Sequence, residues 1–202
     1  SRETTIAQRY VGEAAIANFM NDTLVERSAT FPGGKVDIAV FNATGLASGV
    51  APGQLTFRAW FDVMPYADAV HVATMTGAQI RDMLVNNAKR IVRPEELKSG
   101  NIDLTGFVSR GFLHFSKGLR YAIRLNGSAA EATAEKITIN GQPIEIVSDR
   151  TFKVAISTYM ALGGFGEAWN GNPIGGGVPG KIKSFSLKAL RYDHTGLVYR
   201  NE

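Results

Sequence analysis

The sequence predicts an α+β domain in which strands pair in a mixed or antiparallel fashion. Two helical stretches, at least six strand-like runs and hairpin turns between several of those runs support this prediction. The runs do not alternate with helices, as a regular βαβ fold would require. There is no low-complexity linker and no internal repeat, so we predict a single domain over residues 1–202.

Two segments carry helical signals. Residues 10–26 place apolar side chains at helical spacing and polar ones mostly on the other side, which predicts an amphipathic helix. The predicted apolar side chains are Ala15, Ile16, Phe19, Met20 and Leu24, and the predicted polar ones are Asn18, Asn21 and Asp22. Thr76 followed by Gln79 is a capping-box pattern, so a second helix is expected to begin there and to end before Pro94.

Short β-branched and apolar runs give the strands. They are residues 35–45, 68–75, 111–116, 119–125, 136–140, 151–158 and 182–190. Asn140 and Gly141 stand between two such runs, which is the strongest short-range signal for a β-hairpin.

Composition excludes several classes of function. The 22 basic and 18 acidic residues give a net charge of +4, and no three Lys or Arg are consecutive, so no nucleic-acid partner is expected. The absence of Cys excludes disulfides and thiolate chemistry. No apolar stretch approaches the roughly 18 residues of a membrane span, so none is predicted.

Catalytic motifs are weak in this sequence. His71, His114 and His194 are isolated from one another and from the groupings that hold zinc, so no metal site is predicted. Residues 175–181, "GGGVPGK", match half of a phosphate-binding loop. Ile182 follows where Ser or Thr is needed, so we interpret this segment as a flexible surface loop.

The segment "YMALGGFGEAW", residues 159–169, is more informative. It predicts a strand that ends at the aromatic Tyr159 and continues into a glycine-rich turn. Such a turn could let backbone groups approach a flat ligand stacked on the ring, or it could be a plain turn with Tyr159 packed in the core. The residues alone leave both interpretations open.

Four segments in order resemble the C-terminal domain of the 5'-nucleotidase family. Residues 12–24 resemble its opening helix, and residues 36–84 resemble its strand into Asn-x-Gly-Gly-Ile-Arg followed by Leu-Pro-Phe-Gly-Asn and Thr-Gly-x-Gln-Leu. "FSKGLRYAI" (115–123) is similar to its Ser-Gly-Leu-Arg-Tyr, and residues 137–167 are similar to its final strand into Gly-Gly-Asp-Gly. The resemblance implies a layered α/β/α/β domain with mixed sheets, in a periplasmic or secreted protein.

The resemblance also implies a function. In that family this domain binds the nucleoside part of a nucleotide, or a related small molecule. A separate N-terminal metallophosphoesterase domain, absent from this chain, holds two divalent metal ions and hydrolyses the phosphate ester. This chain would hold no cofactor and, alone, would not be active.

Site residues follow by position in the family's motifs. Tyr66 and Tyr159 would sandwich the base, where the family usually has Phe. Asn42 and Gly45 would line its polar edge. The turn that contains Gly163, Gly164 and Phe165 would approach it through the backbone.

Several of these positions depart from the family's pattern. Ala47 stands where the family has the Arg that contacts phosphate, and Phe165 stands where it has an Asp. Ala67 and Asp68 replace the Gly-Asn after the first aromatic. The sequence therefore predicts a preserved fold with an altered pocket. The alternative function is a non-catalytic ligand-binding or protein-interaction module that has lost nucleotide recognition.

Overall fold

The computed structural model describes residues 9–31, 33–66, 68–99, 112–128, 131–161 and 187–190. These ranges contain five α-helices and eight strands. The helices are α1 (Ala15–Arg27), α2 (Phe57–Phe61), α3 (Gly77–Ala88), α4 (Pro94–Ser99) and α5 (Thr158–Ala161). The strands are β1 (Ile38–Asn42), β2 (Val70–Thr76), β3 (Leu113–Phe115), β4 (Leu119–Arg124), β5 (Thr133–Ile139), β6 (Gln142–Pro143), β7 (Thr151–Ser157) and β8 (Leu187–Leu190).

The strands form two sheets. The larger has the order β3-β1-β7-β2-β8, and the smaller has the order β4-β5-β6. β1 pairs with β7 in parallel, whereas every other recorded pair is antiparallel. The predicted mixed pairing is therefore confirmed.

The elements stack in four layers. One face of the larger sheet packs against α1, and Leu24 belongs to the same buried cluster as strand residues such as Ala39 and Val72. The opposite face shares its core with α3, through Ile80 and Met83, and with the smaller sheet. The order is α1, larger sheet, α3, smaller sheet, which confirms the α/β/α/β arrangement that the family resemblance implied.

Helix α1 forms, but its buried face differs from the predicted one. Phe19 is 48% exposed, whereas Asn21 is fully buried. The sheet covers the side of the helix that carries Ile16, Met20 and Leu24, and Asn21 lies beside Met20 on that side. Phe19 instead packs edge-on against Trp60, with ring centroids 5.7 Å apart.

Two local predictions are confirmed in detail. The hydroxyl of Thr76 accepts the Gln79 backbone N–H at 3.2 Å, and the Gln79 side chain accepts the Thr76 N–H at 2.8 Å, so the capping box starts α3. Asn140 and Gly141 both have positive φ, 50° and 80°, and they turn β5 back into β6. This is the backbone that a two-residue type I′ hairpin requires.

One buried side chain links α3 to the edge of the larger sheet. Asn87 accepts the Leu113 backbone N–H at 2.7 Å and donates to the Leu113 carbonyl at 3.0 Å. It also donates to the Tyr121 hydroxyl at 3.0 Å. Burial raises the pKa of Tyr121 to about 12, and this hydrogen bond opposes the rise. Asn87 thus provides β3 with the backbone hydrogen bonds that a further strand would otherwise supply.

Three short helices were not predicted, and one predicted strand end was wrong. α2, α4 and α5 span four to six residues each, too few to show a helical repeat. The run 151–158 was expected to end at Tyr159, but β7 ends at Ser157 and Tyr159 lies in α5. None of the described helices is long and apolar enough to cross a membrane.

Candidate functional site

Three chain segments meet at one edge of the larger sheet. Because β1 and β7 are parallel, the segments that follow them leave at the same edge. β2 runs antiparallel to β7 with Val70 opposite Ser157, so the segment that precedes β2 arrives there too. In open sheets with parallel strands, the carboxyl ends of those strands are a frequent location for ligand sites.

Thr158 fastens two of these segments together. Its backbone N–H donates to the Ala69 carbonyl at 2.8 Å, and its hydroxyl accepts the Ala69 N–H at 2.9 Å. The same hydroxyl lies 3.0 Å from Nε2 of His71. One residue further along, the Tyr159 N–H donates to Oδ1 of Asp68 at 3.1 Å. The segment before β2 and the segment after β7 therefore have a fixed separation.

The three segments line an open cleft of about 350 Å³, a volume within the usual range of small-molecule sites. We call it the tyrosine cleft. It is lined by Asn42, Thr44, Gly45, Tyr66, Asp68 and Tyr159. Four of the site residues predicted from the sequence therefore lie together, although their segments are far apart along the chain.

Both tyrosines are accessible in the cleft. Tyr66 is 50% exposed and Tyr159 is 38% exposed. The pKa of the Tyr159 hydroxyl is raised, first by its partial burial and then by the Asp68 carboxylate and by Tyr66. The alternative in which Tyr159 packs in the hydrophobic core is therefore wrong. Two partly exposed aromatic rings beside one cleft can bind a flat ligand.

Asn42 and the turn after it form a polar side of the cleft. Asn42 ends β1, is 3% exposed, and its side-chain amide donates to the Thr44 hydroxyl at 2.6 Å. Gly45 lies in a 3₁₀ turn, Ala43–Gly45. A Cβ at position 45 would lie 2.7 Å from Cε1 of Phe41, so packing against this ring already requires glycine there.

Asp68 and Thr44 also line the cleft, although neither is among the site residues predicted from the sequence. Asp68 is the more informative of the two. Its partial burial raises the pKa of its carboxyl, and the Tyr159 N–H and the nearby His71 oppose that rise. The signal was present in the sequence, since Asp68 occupies the last position of the motif that contains Tyr66.

Three more of the predicted site residues are not among those that the structure describes. Gly163, Gly164 and Phe165 lie outside the described residues, as do Ala67 and the segment 175–181. Ala47 is exposed, and its backbone N–H donates to the Val63 carbonyl at 2.8 Å.

The described ranges contain no group of three His, Cys, Asp or Glu side chains that could hold a metal ion. His114 belongs to the core, where burial lowers its pKa to about 4. His71 contacts Thr158, and His194 lies outside the described residues. Within the described part of the chain, the site thus offers aromatic faces, amide and hydroxyl groups and one carboxylate, which are suited to binding a ligand.

This arrangement of sheets and helices is the fold of the C-terminal domain of 5'-nucleotidases. The family model described as "5'-nucleotidase, C-terminal domain" matches residues 1–170, and the chain belongs to this family. The recognition made from the sequence motifs is therefore confirmed.

Relatives and solved structures agree with this membership. The chain is 28% identical over 170 residues to the trifunctional nucleotide phosphoesterase protein YfkN of Bacillus subtilis (strain 168), covering 81% of this chain and 10% of that protein. It is 21% identical over 160 residues to a probable 5'-nucleotidase of Treponema pallidum (strain Nichols), covering 78% and 25% of the two chains. The chain thus spans at most a quarter of these two relatives.

The fold matches two solved structures. A 5'-nucleotidase precursor from Thermus thermophilus superposes with a TM-score of 0.67 at 17% identity, over 96% of this chain and 33% of that one. A putative 5'-nucleotidase from Staphylococcus aureus, solved in complex with alpha-ketoglutarate, gives 0.64 at 18% identity, over 98% and 36%. At this identity the likeness concerns the fold alone.

Proposed function

We propose that this domain recognises the nucleoside part of a nucleotide, or a similar flat group, by holding it between Tyr66 and Tyr159. The observation that carries the proposal is the tyrosine cleft, in which two partly exposed rings lie beside one opening. Stacking on an aromatic ring tolerates different bases, because every base has a π face. Asn42 and the turn at Gly45 supply polar contacts at the edge of the ligand. Gly163, Gly164 and Phe165 approach it in this proposal.

The chemistry of hydrolysis belongs to another domain in this proposal. An N-terminal metallophosphoesterase domain would hold two divalent metal ions, which would activate the water that cleaves the phosphate ester, while this domain orients the nucleoside. The family model and the phosphoesterase relative support this division of roles. A periplasmic or secreted location is part of the same proposal.

Ligand titration of the 202-residue chain tests the aromatic clamp. Guanosine, adenosine and cytidine are added while Tyr and Trp fluorescence is followed, with calorimetry as a second readout. Tyr66→Ala and Tyr159→Ala should each weaken binding by about 1 to 3 kcal/mol, the value of one base–aromatic stack, or roughly 5- to 150-fold in Kd. Tyr66→Phe and Tyr159→Phe keep the ring and should bind almost as tightly as the parent chain.

Phe57→Ala is the matched control, because Phe57 is an exposed aromatic residue of α2 that does not line the cleft. It should leave binding unchanged. Equal losses in Phe57→Ala and Tyr159→Ala would contradict a specific clamp. Measurable hydrolysis of nucleotides by this chain with added divalent metal would contradict the division of roles.

A second function is favoured by one observation. Ala47 is exposed and offers a methyl group where the family pattern has a phosphate-contacting Arg. A module that kept the fold but lost nucleotide recognition would show this change. This second function predicts that no nucleoside or nucleotide binds at millimolar concentration. The first proposal predicts saturable binding that depends on both tyrosines.

A further inference from the structure

Asp68 lies where the two tyrosine segments join. Its Oδ1 accepts the Tyr159 N–H, and the Thr158–Ala69 hydrogen bonds immediately beside it fix the backbone on both sides. The carboxylate is half-buried and lines the tyrosine cleft together with both rings. A ligand stacked between the rings would therefore present an edge to this carboxylate.

The carboxylate has capacity for further donors. An ionised carboxylate only accepts hydrogen bonds and has about four lone-pair sites. Among the described residues, Asp68 accepts a hydrogen bond from the Tyr159 N–H. No Lys or Arg lines the described part of the cleft, and the nearby imidazole of His71 offsets the burial of the Asp68 carboxylate only in part. A ligand acceptor placed against this carboxylate would be repelled, whereas a ligand donor would be bound.

We infer that Asp68 makes the tyrosine cleft selective for a flat heterocycle whose edge carries two adjacent N–H donors, as guanine does. This inference depends on the proposed function. Guanine presents N1–H and its 2-amino group side by side, a geometry that both oxygens of a carboxylate can accept. Adenine presents one amino group beside an acceptor nitrogen, so it offers one donor and one repulsive contact. Hypoxanthine retains N1–H but lacks the 2-amino group.

Substitution of Asp68 by Asn changes the hydrogen-bonding character of one atom of the side chain. The Asn carbonyl oxygen can still accept the Tyr159 N–H, which keeps the backbone in place. The amide nitrogen then replaces Oδ2, so an acceptor becomes a donor. This donor fits the acceptor nitrogen of adenine and opposes the N1–H of guanine.

The test is a titration of the 202-residue chain with guanosine, inosine and adenosine. The parent chain should bind guanosine at least about tenfold more tightly than adenosine, with inosine between them, since one bidentate contact discriminates by roughly this amount or more. Asp68→Asn should close or invert this difference. Asp62→Asn removes an equal charge from a residue outside the cleft and should leave the order unchanged.

A failure of the guanine selectivity and a failure of the proposed function give different results. In one outcome, guanosine and adenosine bind equally, or adenosine binds more tightly, and binding still depends on Tyr66 and Tyr159. That result overturns the selectivity for guanine but agrees with stacking between the two tyrosines. An unchanged order in Asp68→Asn also overturns it. Failure of all three nucleosides to bind at millimolar concentration overturns the proposed function and this inference with it.

Discussion

Replacement of Asn87 by Ala is expected to be among the most damaging single changes in the chain. Asn87 is fully buried, and its side chain makes two hydrogen bonds to the backbone of Leu113 and one to the Tyr121 hydroxyl. Truncation would leave the Leu113 N–H and carbonyl without partners inside the protein. Each buried group without a partner costs about 1 to 3 kcal/mol, and the third bond is worth about 1 kcal/mol. We therefore expect a loss of roughly 3 to 7 kcal/mol in the free energy of unfolding, a large part of the 5 to 15 kcal/mol typical of a folded protein.

The neighbouring Asn86 provides a matched control for this change. Its side chain makes one exposed hydrogen bond, to the Asp82 carbonyl at 3.1 Å, on the same helix. Asn86→Ala should alter stability by no more than about 0.5 kcal/mol, the usual range for a surface substitution. Tyr121→Phe removes one bond of the network and should cost about 1 kcal/mol.

Equilibrium unfolding in urea, followed by far-UV circular dichroism, measures these free energies from the midpoint and slope of each transition. The slopes should agree between variants, so that the midpoints report stability directly. If Asn87→Ala and Asn86→Ala lie within about 1 kcal/mol of each other, Asn87 does not stabilise β3 in the way we argue. A changed slope would point to a different denatured state and would equally count against the argument.

Three further predictions concern one histidine of the core, His114, and two residues of the cleft, Gly45 and Asp68. The pKa of His114 is lowered in the folded protein, so the unfolded chain binds the proton more tightly. The free energy of unfolding should therefore fall as the pH drops from about 6.5 towards 4. In urea unfolding at a series of pH values, His114→Gln should make the free energy of unfolding less dependent on pH over this range. Gly45→Ala should cost about 1 to 3 kcal/mol in the same assay, because its Cβ would overlap Phe41; an unchanged midpoint would show that the ring moves freely. Asp68→Asn should leave the urea midpoint at pH 7 unchanged or higher, because burial of the carboxylate raises its pKa and so disfavours the charged form in the folded protein. A clearly lower midpoint would mean that the charge of Asp68 stabilises the fold.

The sequence predicted those elements whose signal lies within a few adjacent residues. Thr76 with Gln79, and Asn140 with Gly141, specify their own backbone geometry, so the start of α3 and the β5–β6 hairpin were correct. The buried face of α1 was less predictable, because Phe19 packs against Trp60, which is distant in sequence. Periodicity within α1 carries no information about that partner.

The candidate site was predictable only in part. Its tyrosines were identified through the motifs of the family, not from periodicity or composition. Asp68 was recognised as a departure from the motif, but its place beside Tyr159 depends on the pairing of β2 with β7, which no local pattern specifies. The exposure of Tyr159 likewise follows from α5, a helix of four residues that shows no repeat.

The hydrogen bonds between Thr158 and Ala69 join positions that are 89 residues apart along the chain. A fragment that ended before β7 would retain Tyr66 and Asp68 but would have no opposite side to its cleft. Binding of the proposed ligand would therefore require that distant parts of the chain have already come together, so only molecules that have completed this step would bind it. A ligand of the cleft would accordingly raise the unfolding temperature in proportion to the logarithm of its concentration, and it would serve as a probe for correctly assembled molecules in a preparation.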